Sequence, residues 1–271
     1  MTESDVRDGT VSCEVDGRGV ATVLIDRPSK LNAITFEMVG ELAAILARLR
    51  DSPARVVVIR TAGNRAFSVG ADIGQFSTYA AEDMWRHWIA EGHRVFRELS
   101  ELHQPTVAVI DGIAVGGGLE LALACDFRIA SDDARFGLPE NGIGTIPGWG
   151  GTARLTALVG YAHACELVLA RRRIDARTAH EWGLVTSSHP TVSLDTAVAE
   201  ITDDLLGGAA LAQQTSKQLL RLAANGADAA VLEALASGFT ANAPDFREGV
   251  TAFLEKRTPQ FSHPTSSPSE A

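Results

Sequence analysis

Two glutamates and a run of glycines carry most of the chemistry this sequence can offer. Gly116-Gly117-Gly118 follows an apolar strand and opens a helix, and Glu120 lies two residues beyond it, amid Leu119, Leu121 and Leu123. Glycine lets a backbone approach a ligand closely and adopt dihedrals closed to other residues. A helix N-terminus leaves unpaired N–H donors that together amount to roughly half a positive charge. Such a corner stabilises an anion or a developing oxyanion. Taken alone, Glu120 reads as an exposed or salt-bridged carboxylate that the helix dipole favours. Buried in so apolar a helix, it must instead be paired or have a raised pKa. A raised pKa is what a general acid or base near neutrality requires.

Glu140 is the second carboxylate, after Pro139 and before a glycine-dense loop that runs to Gly151. Alone it reads as a surface loop residue. That loop is a poor phosphate cradle: Gly142-Ile-Gly144-Thr-Ile-Pro147 has proline where a dinucleotide fingerprint needs glycine, and no Lys-Ser/Thr pair closes a P-loop. A third segment, Phe67-Ser-Val-Gly-Ala-Asp-Ile73, contains Gly70-Ala71, where a tight turn could aim one more backbone donor. By itself it reads as plain loop.

The elements that must position these residues follow from periodicity. Val11–Val15 and Val20–Ile25 read as a hairpin about Asp16-Gly17-Arg18-Gly19. Thr35 caps a helix to about Arg50 with Met38, Leu42, Ile45 and Leu49 on one stripe. Val56–Ile59 and Thr106–Ile110 are short apolar runs of the buried-strand type. Thr61–Gly74 reads as loop, Glu82–Leu102 as an amphipathic helix, and Gly116–Ala124 as the helix bearing Glu120. Asp126–Ala130 and Ala134–Gly137 are two further strands. Helices then dominate: 152–159, 162–170, 176–182, 194–206, 209–224, 229–241 and 244–255. Pattern alone gives a mixed α/β core with a helical C-terminal part.

Composition narrows the class. With 271 residues, 45% hydrophobic, the chain can bury a large core. No apolar run reaches the roughly eighteen residues of a membrane span, and the polar segment Met1–Thr10 has no signal-peptide core, so a cytoplasmic protein without a membrane partner is expected. The formal charge of −10 opposes binding to nucleic acid. Cys13, Cys125 and Cys165 are too scattered for a disulfide framework. The seven histidines, His87, His93 and His103 among them, show no metal-ligand spacing, so no metal is expected.

Taken together, three segments resemble the enoyl-CoA hydratase (crotonase) superfamily. They are Phe67–Ile73, then Gly112-Ile-Ala-Val-Gly-Gly-Gly-Leu-Glu-Leu-Ala-Leu-Ala-Cys-Asp126, then Phe136-Gly-Leu-Pro-Glu-Asn-Gly-Ile-Gly-Thr-Ile-Pro-Gly-Trp-Gly-Gly-Thr152. They stand in the family's order and spacing. Arg27-Pro28, Leu31-Asn32-Ala33 and Ala252-Phe-Leu-Glu-Lys-Arg257 extend the likeness over nearly the whole chain.

The resemblance implies an α/β fold: a crotonase-like spiral of strand–strand–helix units with a helical C-terminal region. It divides the chain into a core over 1–205, a helical region over 206–257 and a flexible tail over 258–271. It implies a homotrimer or a dimer of trimers, with no prosthetic group and coenzyme A present only as part of an acyl thioester substrate. The peptide N–H groups of Ala71 and Gly117 would hold the thioester oxygen. Glu120 would deprotonate the attacking water and Glu140 would exchange a proton with Cα, with the Gly148 backbone helping to place the water. Val69 and Ala71 would meet the adenine, and Phe253 and Lys256 would reach CoA, in some members from a neighbouring subunit. The plainer alternative for these last two is a core phenylalanine and a solvated lysine. Val69 stands where the family commonly has Ala or Ser, and Trp149 where it commonly has a small residue. Trp149 is therefore expected to trim the acyl pocket, and Trp88 either to line it or to pack in the core. The implied reaction is hydration of a 2-enoyl-CoA to a 3-hydroxyacyl-CoA. The rivals are another reaction of the scaffold (Δ3-Δ2 isomerisation, a specialised dehydration or thioester hydrolysis) and a non-catalytic CoA- or RNA-binding relative.

Overall fold

The computed structural model describes residues 8–262; the rest of the expected tail, 263–271, lies outside them. The first half repeats one device. A pair of short strands is dealt to two sheets and followed by a helix. β1 (Thr10–Val15), β2 (Val20–Asp26), β3 (Val56–Thr61), β5 (Thr106–Ile110), β7 (Phe127–Ser131) and β10 (Ser187–His189) form a six-stranded sheet in the order β1-β2-β3-β5-β7-β10. β4 (Ala66–Ser68), β6 (Ile113–Val115), β8 (Arg135–Gly137) and β9 (Ile174–Asp175) form a second sheet of four. Only β1–β2 and β8–β9 pair antiparallel. Each of the pairs β3/β4, β5/β6 and β7/β8 thus gives its first strand to the large sheet and its second to the small one.

The helices are α1 (Phe36–Arg50), α2 (Ile73–Phe76), α3 (Ala81–Asp83), α4 (Ala90–Glu101), α5 (Gly117–Leu123), α6 (Gly151–Val168), α7 (Ala176–Glu181), α8 (Leu194–Leu206), α9 (Ala210–Ala224), α10 (Ala230–Ala241) and α11 (Pro244–Glu255). A π-helical turn, Met84–Ile89, joins α3 to α4. The Thr35 hydroxyl accepts from Met38 N and caps α1, whose expected stripe is buried. β3 over Val56–Ile59 and β5 over Val107–Ile110 are apolar without a break because both sheet faces are covered there. Val57, Ile59 and Ala108 face a large core with α1, α4 and α5. Val56, Val58, Val107 and Val109 face a second cluster closed by Leu194, Ala197 and Val198 of α8.

The structure corrects several readings. β4, β6, β9 and β10 are strands that pattern missed, each three residues or fewer. Thr61–Gly74 is therefore not all loop: Ala66–Ser68 is a fully buried strand. Such runs are too short to show a period of two. The two helices expected at 152–159 and 162–170 form a single run broken at Gly160, whose φ of +74° is non-helical. The last two helices are under-buried. α10 has no buried residue, and Val231, Leu235 and Phe239 are exposed on it, as are Phe253 and Leu254 on α11.

Candidate active site

The loop Val69–Ala71 is locked before any ligand arrives. Val69 N donates to Leu31 O at 3.2 Å, Ile34 N to Gly70 O at 2.8 Å, and Asp72 N to Ile34 O at 2.9 Å. Beneath it, the Ser68 hydroxyl donates to Asn32 O at 2.7 Å and accepts from Gly70 N at 3.1 Å. Asn32 is 1% exposed and donates to Ala62 O and Ala66 O. Buried Arg27 donates to Ala33 O and pairs with Asp72 at 2.6 Å, while Asp72 also caps α2. Fixed loop backbone of this kind costs no reorganisation when charge develops on a ligand.

Next to it stands the start of α5. Gly70 has φ +95°, and a Cβ there would lie 2.8 Å from Gly117 N; a Cβ on Gly117 would lie 3.4 Å from Ala71 N. The two N–H groups are therefore neighbours, and neither donates to an acceptor among the described residues. Gly118 is equally constrained, since a Cβ would fall 2.3 Å from Ser68 O. The helix can reach the loop this closely only because the triplet lacks side chains.

Glu120 is one turn further on and 3% exposed. Its Oε1 accepts from Trp149 N and Gly151 N, each at 2.8 Å. Burial drives its pKa up, while the N–H groups of Gly151, Trp149 and Gly148 and the Arg154 guanidinium pull it down; the net shift is upward. Gly151 is needed here, because a Cβ would lie 2.6 Å from Glu120 Cγ.

Glu140 begins a 3₁₀ turn, Glu140–Ile143. Both of its carboxylate oxygens are buried without a hydrogen-bond partner among the described residues. Burial raises its pKa to about 7, opposed by its own backbone N–H and helped by the charge on Glu120. Its carboxylate lies against the glycine corner, 3.3 Å from where a Cβ on Gly116 would be.

Val69, Ala71, Gly117, Glu120, Glu140, Gly148, Trp149 and Trp88 all line one cavity of about 510 Å³. The fold thus brings residues from three separate motifs to one wall. Trp88 is 1% exposed, packs in the core and also forms part of the cavity wall. Phe253 and Lys256 are the exceptions: neither lines this cavity, and Phe253 is 83% exposed, so it is not a core residue.

Comparison with known proteins gives the family. The enoyl-CoA hydratase/isomerase family matches residues 16–264. The chain belongs to that family. It is 36% identical over 250 residues to the short-chain-enoyl-CoA hydratase of Clostridium acetobutylicum, covering 91% of this chain and 95% of that protein. It is 36% identical over 245 residues to the crotonyl-CoA hydratase of Syntrophomonas wolfei, covering 89% and 94%. The solved structure of an enoyl-CoA hydratase from Bacillus anthracis superimposes with a TM-score of 0.88 at 34% identity, covering 94% of this chain and 99% of that one. The fold is the crotonase fold, and the protein is an enoyl-CoA hydratase-like enzyme.

For an enoyl-CoA hydratase/isomerase family member, sequence reasoning missed the supports rather than the acids. In the sequence Arg27 and Asn32 carry only the family likeness, yet they pin the Val69–Ala71 loop. Arg154 was missed too; it donates to Trp149 O at 2.9 Å behind Glu120. Gly92 was also passed over. It left a signal, since an isolated glycine inside a helix costs about 1 kcal/mol relative to alanine and calls for a packing reason. Among the described residues no group of three or more His, Cys, Asp or Glu side chains is placed to hold a metal, and no helix is long and apolar enough to cross a membrane.

Proposed function

We propose that this protein reversibly hydrates a 2-enoyl-CoA to a 3-hydroxyacyl-CoA. The observation that carries the reading is the pair of unlike carboxylates in one cavity, Glu120 held by backbone donors and Glu140 without any. The thioester oxygen sits between the N–H groups of Ala71 and Gly117. Addition at Cβ moves charge onto that oxygen, and a single such donor is worth roughly 3–4 kcal/mol. Glu120, ionised, takes a proton from water placed with help from the Gly148 backbone. Glu140, with its pKa near 7, keeps a large share of its acid form at neutral pH and more below it, and gives its proton to Cα. The reverse reaction exchanges these roles.

Coenzyme A enters with its adenine near Val69 and Ala71. Phe253 and Lys256 act on CoA from a second copy of the chain, in a homotrimer or dimer of trimers. The exposed apolar faces of α10 and α11 support this, because patches of that kind mark association surfaces. Light scattering that shows only monomer would refute it. The names of the two hydratase relatives favour a short acyl chain. The reading carries with it a cytoplasmic place in fatty acid metabolism.

The decisive experiment follows the enoyl-thioester absorbance of crotonyl-CoA with wild type, Glu120→Gln and Glu140→Gln. Wild type should consume the band, and each variant should lose about 10²–10⁴-fold in rate. A wild type inert on crotonyl-CoA and longer enoyl thioesters, yet binding CoA, overturns hydration and leaves isomerisation or hydrolysis for product analysis.

A further inference from the structure

We propose that Gly92 and Trp149 together set the acyl-chain limit, the indole closing the acyl end of the cavity because α4 leaves it a seat at Gly92. The proposal rests on the acyl-thioester reading of this cavity and names the residues that would enforce a short acyl chain.

Trp149 is 2% exposed, and its ring has two abutments. On one side a Cβ at Gly92 would lie 2.1 Å from the indole Nε1 and 2.4 Å from Cε2. On the other, a Cβ at Gly117 would lie 2.6 Å from Cζ3. The ring therefore spans the gap between helix α4 and the glycine corner, and only two missing side chains make room for it. Phe96 meets it edge-on, with centroids 5.0 Å apart, and Trp88 is tilted against it at 5.8 Å. Its Nε1 is buried with no hydrogen-bond partner among the described residues, so shape alone holds the ring.

A reciprocal fit lies alongside. A Cβ at Gly148 would fall 2.7 Å from Ile89 Cδ1, so the loop leaves space for a helix side chain just as the helix leaves space for a loop side chain. Trp88, Ile89 and Trp149 face the cavity, whereas Gly92 is not part of its wall and stands behind the indole. Truncating Trp149 joins the cavity to the space in front of Gly92 and Phe96, which gives a longer chain somewhere to go. The contact with Glu120 is made by the Trp149 backbone N–H, which any residue except proline supplies. Chain-length selection and the holding of Glu120 thus lie on one residue but on different atoms.

The test measures binding, so it does not depend on turnover. Dissociation constants for free CoA, butyryl-CoA and octanoyl-CoA are determined by calorimetry for the full chain, Trp149→Ala, Trp149→Phe, Gly92→Ala and the Gly92→Ala/Trp149→Ala double variant. Thermal melts check that each is folded. In Trp149→Ala the preference for butyryl- over octanoyl-CoA should fall at least about tenfold, a change of 1.4 kcal/mol, with Trp149→Phe intermediate and free CoA within a factor of about two. Gly92→Ala should push the indole into the cavity and weaken both acyl thioesters. The double variant should match Trp149→Ala, because the added methyl then has nothing to displace. An unchanged preference in Trp149→Ala overturns the inference, as does a Gly92→Ala defect that persists in the double variant. If Gly92→Ala fails to fold, the preferences of the two Trp149 variants decide alone. A wild type that binds CoA but no acyl thioester more tightly than CoA overturns the underlying reading instead.

Discussion

The corner that holds Glu120 and the turn that holds Glu140 treat the same chemical group in opposite ways. Glu120 is the more deeply buried, and two backbone N–H groups bond its Oε1. Glu140 keeps more exposure as a residue, but its oxygens have no donor among the described residues. Burial raises both pKa values. At Glu120 three N–H groups and Arg154 resist that rise, whereas at Glu140 only its own backbone N–H does and the neighbouring charge of Glu120 adds to it. Both net shifts are upward, so in the proposed reaction depth of burial alone would not separate the acid from the base. The donors beside each carboxylate would make that distinction.

The comparison breaks first at Glu120. Glu120→Gln should lose the most turnover while still binding CoA, as measured by crotonyl-CoA hydration beside calorimetry. Equal loss of binding would mean that the residue is structural. Gly151→Ala comes next. Its methyl must displace Glu120, so a loss of at least about tenfold in rate and a lower melting temperature are expected together. Unaltered kinetics would show that the backbone donors do not position this acid.

Glu140→Gln sharpens the contrast through pH. A carboxyl group whose folded pKa is raised to about 7 contributes its stability fully below the unfolded value of 4.5, and loses that contribution as pH rises through 7. Glutamine cannot ionise. The variant should therefore melt several degrees above wild type at pH 8.5 and about level with it at pH 4, as calorimetric scans would show. Equal melting at both pH values would place the ionised Glu140 in a better solvated setting than its buried oxygens indicate. In wild type, the hydration rate should fall as pH rises through about 7, because Glu140 then gives up the proton it delivers.

The smallest effect is expected at Arg154. Its charge favours ionised Glu120, so Arg154→Met should move the acidic limb of the kcat/KM profile to higher pH. A limb that stays in place would leave Arg154 as a brace for Trp149 O alone.

Much of this site could be read in the sequence, because its working parts lie inside short contiguous motifs. The glycine triplet before Glu120, the Gly70-Ala71 turn and Glu140 after Pro139 are fixed by local spacing, and so is the apolar stripe of α1. The supports were not legible. Asn32 bonds Ala66 O thirty-four residues away, and Glu120 is held from Gly151, thirty-one residues away. No local period encodes such contacts. The missed strands of the second sheet, such as β4 and β9, were hidden for a related reason: two- and three-residue runs are stabilised by neighbours in space rather than by their own propensity.

By itself, then, the sequence determined which residue types stand ready for chemistry, that two acids and two glycine-flanked donors occur in one chain, and that strands alternate with helices before helices take over. Only the tertiary structure decided that these parts share one cavity, which acid keeps its donors, and that Gly92 makes room for Trp149. The reason is physical. A residue's identity and local dihedral preferences are properties of the chain, but desolvation, hydrogen-bond partners and steric room are properties of its surroundings, and those exist only once distant segments are packed together.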